Sequence, residues 1–272
     1  DKMGLYGLHP SPPPTPNLDA LAADGALFTN ATANPTCSPT RASMLTGRHA
    51  SRVGVGHALN VFEVTPDLPH SEVTLPEMLA ESPHDYTSVV AGKWHLSTAL
   101  HDPIENEPMA HGFAHHRGTV DNPSTGVDYP TEELDYFRWE KNTDGVLALE
   151  EGYLTTDTTD EAIAFADALP EPWFIYVAYN APHDPFHIPP AGLSTASLTE
   201  ESSDLEKYDA MVEAVDTEIG RLLDSLTPEQ RAITTIIVAG DNGTPPQATS
   251  APWEETRAKG TLFAGGVRVP FI

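Results

Sequence analysis

Three short apolar runs constrain this chain most: Tyr86-Thr87-Ser88-Val89-Val90-Ala91, Trp173-Phe174-Ile175-Tyr176-Val177-Ala178-Tyr179 and Thr234-Thr235-Ile236-Ile237-Val238-Ala239. Each stops abruptly in a polar cluster, namely Gly92-Lys93-Trp94-His95-Leu96, Asn180-Ala181-Pro182-His183 and Gly240-Asp241-Asn242-Gly243. Apolar runs this short, without polar alternation, read as strands covered on both sides, as in parallel sheets. Two amphipathic helices are predicted as well. Thr156 to Leu169 sets Ala162, Phe165, Ala166 and Leu169 on one face, and Tyr208 to Leu226 does the same with Met211, Val215, Ile219 and Leu222. The order strand, loop, helix, strand predicts an α/β fold with a central, largely parallel mixed sheet flanked by helices. Such sheets collect their ligand-binding loops at the C-terminal ends of the strands. Residues distant in sequence are therefore expected to converge at one edge.

The remaining chain supplies smaller elements. Asp1 to Pro16 is rich in Pro and Gly and is expected to be irregular, with Ser11-Pro12-Pro13-Pro14 extended. Thr15-Pro16 opens a helix carrying Leu18, Leu21 and Ala22 on one face, Gly25 ends it, and Ala26 to Asn30 reads as a short strand. Thr74 to Leu79 reads as a capped helix. Residues 100–155, rich in His, Asp, Pro and Gly, show little periodicity and are expected to form loops around a site. There is no internal repeat and no linker, so 272 residues at 39% hydrophobic composition suit one large domain.

Charge narrows the function. Forty acidic against 14 basic residues give a formal charge of −26, which argues against nucleic-acid binding, where Lys and Arg must neutralise phosphates. The acids read first as a well-solvated surface. A single cysteine permits no internal disulfide, so cysteine usage does not distinguish compartments. No run of about 18 apolar residues offers a membrane-spanning helix.

That single cysteine lies in Cys37-Ser38-Pro39-Thr40-Arg41-Ala42-Ser43-Met44-Leu45-Thr46-Gly47-Arg48. Pro39 lacks an N–H and fixes its own φ, so Cys37 is predicted at or just before a helix start, near unpaired backbone N–H groups and the Arg41 guanidinium. An anion is favoured there. Lys93 and His95, two apart, point to one side of an extended segment, with Trp94 packing the other way. Taken singly, each cluster has an ordinary reading. Lys93 suits a surface, His95 a buried hydrogen bond, and His183 and His187 loops bonded to backbone; Asp241-Asn242-Gly243 suits a turn and Lys259-Gly260 a strand entry. Asp241 and Asn242 equally offer hard oxygen ligands for Ca²⁺ or Mg²⁺. One Cys beside an Arg, two Lys, two His and an Asp-Asn pair, all at strand ends, together describe an oxyanion site with a metal.

Cys37-Ser38-Pro39-Thr40-Arg41 with Thr46-Gly47 resembles the C-x-P-x-R-x-x-x-x-T-G signature of the type I, formylglycine-dependent sulfatases of the alkaline-phosphatase-like superfamily. The likeness runs in order through Thr15 to Ala22, Gly92 to Leu96, Ala181 to Pro185, Asp241 to Gly243 and Lys259 to Pro270, covering essentially the whole chain. It implies hydrolysis of an aryl or carbohydrate sulfate ester. Cys37 is then converted by a separate maturation enzyme to Cα-formylglycine, whose hydrate attacks sulfur with one hydroxyl and releases sulfate by means of the other. Arg41 holds the diol, Lys93 and Lys259 neutralise sulfate oxygens, His95 is the base for sulfate release, and His183 is the acid at the leaving alcohol. Asp241, Asn242 and the matured Cys37 are the implied ligands of Ca²⁺, with Mg²⁺ the alternative. A phosphonate or phosphate monoester hydrolase on the same scaffold, and a non-catalytic oxyanion-binding relative, are the competing readings. Bacterial members of the family are often exported, which favours a periplasmic or extracellular location.

The chain departs from the family pattern at three places. Asp1 stands without the adjacent aspartate that completes a metal-ligand pair, and aligning Asp1-Lys2 on that pair puts an ammonium on the metal. Anchoring instead on Gly4-Leu5-Tyr6-Gly7 places the pair and its strand upstream of Asp1, and the family's smaller C-terminal subdomain downstream of Ile272. Residues 1–272 are thus expected to be an N-terminal catalytic domain fragment that binds metal poorly alone. Ala264 also replaces the acid usual before Gly265.

Overall fold

Val89, Val90 and Ala91, all fully buried, lie at the centre of β1 (Thr87–Gly92), the pivot of a five-stranded sheet ordered β4-β3-β2-β1-β5. In the computed structural model, which describes residues 2–9 and 11–272, this sheet belongs to one of two compact units, Arg41–Asn180. The other unit comprises Asp1–Thr40 and Ala181–Ile272.

Within Arg41–Asn180, β1 pairs in parallel with β2 (His115–Gly118) on one side and β5 (Trp173–Ala178) on the other. β3 (Arg138–Thr143) and β4 (Val146–Glu151) extend the sheet antiparallel, so the fold is a mixed α/β sheet. The predicted helix at 156–169 is α6 (Leu154–Ala168), which packs on β1 and β5, with Ala162, Phe165 and Ala166 buried. The core gathers Ala42, Leu45, Val53, Leu68, Val90, Trp94 and Phe113, with Phe174 and Tyr176 against it. It is supplied by the later turns of α2 (Cys37–Thr46), by α3 (Ala50–Val53) and by the loops flanking β1. α4 (Leu75–Ala80) has a reciprocal capping box between Thr74 and Glu77. Between β1 and β2 the short α5 (Glu107–Ala110) ends beside His111, whose ring burial pushes down to about 4, helped by the nearby His70.

Two expectations change here. Residues 100–155 are not simply loops, because they contain β2, β3 and β4. The readable sign was Asp144-Gly145, a two-residue turn with φ of 53° and 89°, the hairpin geometry an Asp-Gly pair favours. β5 has packing on it, from α6 and from the core against Phe174 and Tyr176, but it is the edge of the ladder and residues 173–177 are only half-buried. Gly92 closes β1 at φ 102°, where any Cβ would collide with the Ala178 carbonyl, so only glycine lets β1 and β5 approach as the chain turns into Lys93.

In the other unit, α1 (Pro16–Asp24) packs on α7 (Asp204–Ser225), whose Ser203–Glu206 capping box starts it four residues before the amphipathic pattern suggested. Thr15 does not cap α1. Asp216, 1% exposed on α7, does so instead: its carboxylate accepts the Leu18 amide at 2.8 Å, and the Asn17 amide and side chain at 3.1 and 3.0 Å. Replacing Asp216 by alanine strands these donors and is expected to cost about 2–3 kcal/mol, read as a lowered urea midpoint with unchanged slope. α8 (Pro228–Ile233) and α9 (Ala264–Val267) complete the helices of this unit among the described residues.

The predicted strand at 234–239 is extended chain that makes only an isolated bridge, Ala239 with Phe271. Val238 and Ile272 exchange both backbone hydrogen bonds, and Gly240 donates to Pro270, but Pro270 has no N–H to return and the ladder stops. The strand predicted at 26–30 is likewise irregular. Phe28 and Ala33 donate to Phe271 and Val267, and Thr32 forms one bridge with Arg268. No helix among the described residues is long and apolar enough to cross a membrane.

Candidate active site

The candidate residues divide between the two units, and the geometry of each part is set locally. In the unit holding residues 1–40 and 181–272, Cys37 is the first residue of α2 and only 3% exposed, which matches the helix start that Pro39 predicted. The turn before it is tied down: Thr40 Oγ1 accepts the Asn34 amide at 2.9 Å, and the Pro35 carbonyl accepts the Gly260 amide at 2.8 Å. That second bond brings the Lys259-Gly260 loop to the approach to Cys37. The Lys259 amide in turn bonds to the Thr244 carbonyl at 3.0 Å, and the Gly243 amide to the Gly266 carbonyl at 2.9 Å. Three segments remote in sequence, around Cys37, Asp241-Asn242 and Lys259, are thereby stitched together through backbone.

Asn242 has a polarity that a plain turn does not require. Its Nδ2 donates to the Gly243 carbonyl at 2.9 Å, while its Oδ1 is buried without a hydrogen-bond partner. A buried amide oxygen left unpaired costs stability unless something positive fills the place. The adjacent Asp241 brings a carboxylate, and both residues carry the hard oxygen type that Ca²⁺ takes. Asp1 lies outside the described residues, so the pairing of Asp1 and Lys2 is not visible. Lys2 itself is buried, 3.1 Å from Asp209 and 2.9 Å from Ser250 Oγ. Burial lowers its ammonium below the ordinary lysine range, with Asp209 only partly offsetting this. His183 places Nδ1 2.9 Å from the Asp184 carbonyl and 3.1 Å from its carboxylate. Two acceptors at Nδ1 mean that Nδ1 carries the proton. His187 is held by the Pro185 carbonyl at 3.0 Å, as a loop histidine.

In the unit Arg41–Asn180, Arg41, Lys93 and His95 are all buried. The Arg41 guanidinium donates to the Lys93 carbonyl at 2.9 Å and to the Tyr176 hydroxyl at 3.3 Å, so Arg41 is tied to the end of β1 and to β5. Lys93 Nζ donates to Asn122 Oδ1 at 2.6 Å. His95 Nε2 lies 2.9 Å from the Leu59 carbonyl and 3.1 Å from Asp121 Oδ1. Both neighbours are acceptors, so Nε2 holds the proton and Nδ1 carries the lone pair a base needs. His95 has φ 57°, so a left-handed residue ends the extended run expected here, yet Lys93 and His95 both reach the adjacent residues Asn122 and Asp121. Trp94 does pack inward, into the core.

Asp121 and Asn122 were not singled out in the sequence. They follow β2, whose His-His-Arg-Gly carries no apolar run to mark a strand end, although they repeat the Asp-Asn pairing of 241–242. Burial by itself would raise the Asp121 carboxyl, but the His95 contact, Lys93 and the Asn122 amide outweigh it and hold the group below its usual range. Asp121 is thus an anion at neutral pH, placed to steady positive charge on His95 and Lys93.

A family model described as Sulfatase matches residues 1–272. The chain is 34% identical over 295 residues to N-acetylgalactosamine-6-sulfatase of Homo sapiens, covering 99% of this chain and 53% of that protein. The Sus scrofa counterpart is 35% identical over 298 residues, with the same 99% and 53% coverage. The chain thus spans about half the length of the curated relatives it matches. Among solved structures it is similar to Ps i-CgsB in complex with k-i-k-neocarrahexaose, at TM-score 0.76 and 26% identity over 94% of this chain and 59% of that one.

Proposed function

Because the chain belongs to the sulfatase family, we propose that it provides the catalytic residues of an enzyme hydrolysing the sulfate ester of a carbohydrate to alcohol and sulfate. The observation that carries this reading is the opening of α2: a buried cysteine at its first residue with a buried arginine one turn on, in the Cys-x-Pro-x-Arg pattern. Binding alone needs neither an oxidisable cysteine nor an acid and a base. The names of the relatives, an N-acetylgalactosamine-6-sulfatase and a structure holding an oligosaccharide, support a glycan sulfate over a simple aryl sulfate.

Each residue has one task. Matured to Cα-formylglycine by a separate enzyme, position 37 supplies a geminal diol, one hydroxyl to attack sulfur and the other to expel sulfate as the aldehyde reforms. Arg41, held by the Lys93 carbonyl and Tyr176, presents its guanidinium to that group. Lys93 and Lys259 neutralise negative charge on the sulfate oxygens as it develops, with Asn122 fixing the Lys93 ammonium. His183 protonates the departing alcohol oxygen through Nε2. His95 takes a proton on Nδ1 while Asp121 stabilises the imidazolium. Asp241 and Asn242 would hold a Ca²⁺, whose charge supplies electrostatic stabilisation to the bound sulfate.

The test is turnover by full-length, matured protein of 6-sulfated N-acetylgalactosamine, of an aryl sulfate and of an aryl phosphate, with mass spectrometry of the Cys37 peptide. Release of sulfate with a formylglycine mass is expected. Preferential hydrolysis of the phosphate would instead identify a phosphate or phosphonate monoesterase. Unmodified thiol in protein from its native host, with neither ester cleaved, would make the chain a non-catalytic relative.

A further inference from the structure

A second cluster of metal-ligating side chains lies wholly within the unit Arg41–Asn180 and plays no part in the reaction just described. The loop before α4 contributes Asp67 and His70, and the segment between β1 and β2 contributes His101, Glu107 and His111. Ligand atoms of His70, Glu107 and His111 all lie within 4.8 Å of one another, as do those of Asp67, His101 and Glu107. Glu107 is common to both groups. Its Oε2 is 2.8 Å from His70 Nε2 and 3.7 Å from His111 Nε2.

Paired histidines and carboxylates are often no more than hydrogen bonds, and His70–Glu107 and His101–Asp67 satisfy that description at 2.8 Å each. His111 does not. It is 1% exposed, and neither ring nitrogen makes a hydrogen bond of good geometry, the Leu68 carbonyl being the one backbone acceptor near enough to be felt. A polar ring buried in that state forfeits the hydration it had in water, and such groups in native proteins call for a ligand or another explanation. The 3.7 Å between its Nε2 and Glu107 is too long for a hydrogen bond, yet close to the separation of about 3.3 Å between two ligands of a tetrahedral zinc with bonds of about 2.0–2.1 Å.

The surroundings are those of a built site. Thr98 donates its amide to Asp67 Oδ2 at 3.1 Å, leaving Oδ1 for His101 at 2.8 Å. Thr74 Oγ1 donates to the His111 carbonyl at 2.8 Å and fixes that backbone. The His70 ring lies 4.5 Å from that of His101 and 5.1 Å from that of His111, so three imidazoles flank one carboxylate. His70 and His101 are 46% and 32% exposed at the rim, which gives an ion a way in from solvent, while Glu107 and His111 form the buried floor.

We propose that His70, Glu107 and His111 bind a divalent transition ion of the Zn²⁺ class, its fourth position facing His101 and Asp67. Imidazole nitrogen in this proportion selects zinc over the hard, oxygen-seeking Ca²⁺ and Mg²⁺. The ion pins the loop before α4 to the segment around α5, a structural role independent of sulfate ester hydrolysis.

The chain is loaded with ZnCl₂, desalted and assayed for metal by mass spectrometry and for melting temperature, beside His70→Ala and the double variant His70→Ala/His101→Ala. Both substituted side chains lie at the solvent rim, so these variants should fold, as circular dichroism will check. The parent is expected to retain one more zinc per chain than the double variant and to melt higher with zinc than with EDTA. His70→Ala should weaken zinc binding more than about 100-fold, beyond the 10–100-fold typical of losing an outer-shell partner. Equal zinc retention by parent and variants, or a stabilisation by Ca²⁺ that the double variant loses, overturns the proposal.

Discussion

Full-length protein carrying Cys37→Ala is expected to lose sulfate ester turnover by a factor on the order of 10⁴ or more while keeping its fold. Removing a covalent nucleophile leaves only binding and electrostatic stabilisation, and losses of at least this size are usual. The fold should survive because only the end of one short side chain is removed from a residue whose turn is held by backbone, through Pro35 and Gly260, and by Thr40. Truncating so small a buried side chain costs about 1 kcal/mol. The measurement is initial rate on the sulfate ester against a thermal melt of the same preparation. Cys37→Ser is the informative companion. Its hydroxyl can form one sulfate ester but has no second hydroxyl on the same carbon, so at most one equivalent of alcohol should appear, with sulfate retained on the protein. Sustained turnover by either variant would remove Cys37 from the reaction.

Asp121→Asn should lower kcat by about 10² to 10⁴, the range a positioned acid–base group contributes, with KM falling alongside because His95 acts after the alcohol has left. Its carboxylate lies 3.1 Å from His95 Nε2 and is held below the usual carboxylate range. A depressed carboxyl contributes stability above its unfolded value, and that contribution is lost as pH falls through the folded value. The pair is therefore intact throughout the neutral range. Asparagine keeps the size and removes the charge. Without it the imidazolium is less stable, so the acid limb of the kcat profile should move to lower pH. A purely structural role for Asp121 would reduce the amount of folded protein and leave that limb where it was.

Much of the site was legible because its chemistry is local. Pro39 alone places Cys37 at a helix start, and Lys93 and His95 announce themselves by following an apolar run. What escaped was partnership across the sheet. β2 is His115-His116-Arg117-Gly118, polar in sequence yet containing the fully buried His116, which is bonded to the Gly92 carbonyl and Asn142. With no apolar run to mark that strand, Asp121 and Asn122 had no visible reason to matter. The hairpin of β3 and β4 was hidden in the same way, since β3 buries Glu140 and Lys141 by satisfying them, Lys141 with Asp157 and Glu161 at 2.7 and 2.6 Å. The capping of α1 by Asp216, some 200 residues away, is of the same kind. Hydropathy reports which side chains leave water, not which polar ones find partners elsewhere in the chain.

His95 sits in a left-handed backbone conformation at φ 57°. That decides which replacements at this position can be interpreted. Alanine or valine there would add backbone strain of about 1–2 kcal/mol to the loss of the imidazole, so a damaged rate would mix two causes. Asparagine tolerates the left-handed region far better and retains a polar side chain without a basic nitrogen. His95→Asn is therefore the appropriate variant for accumulating the sulfated enzyme once the alcohol has left, whereas an alanine scan would overstate what the ring does.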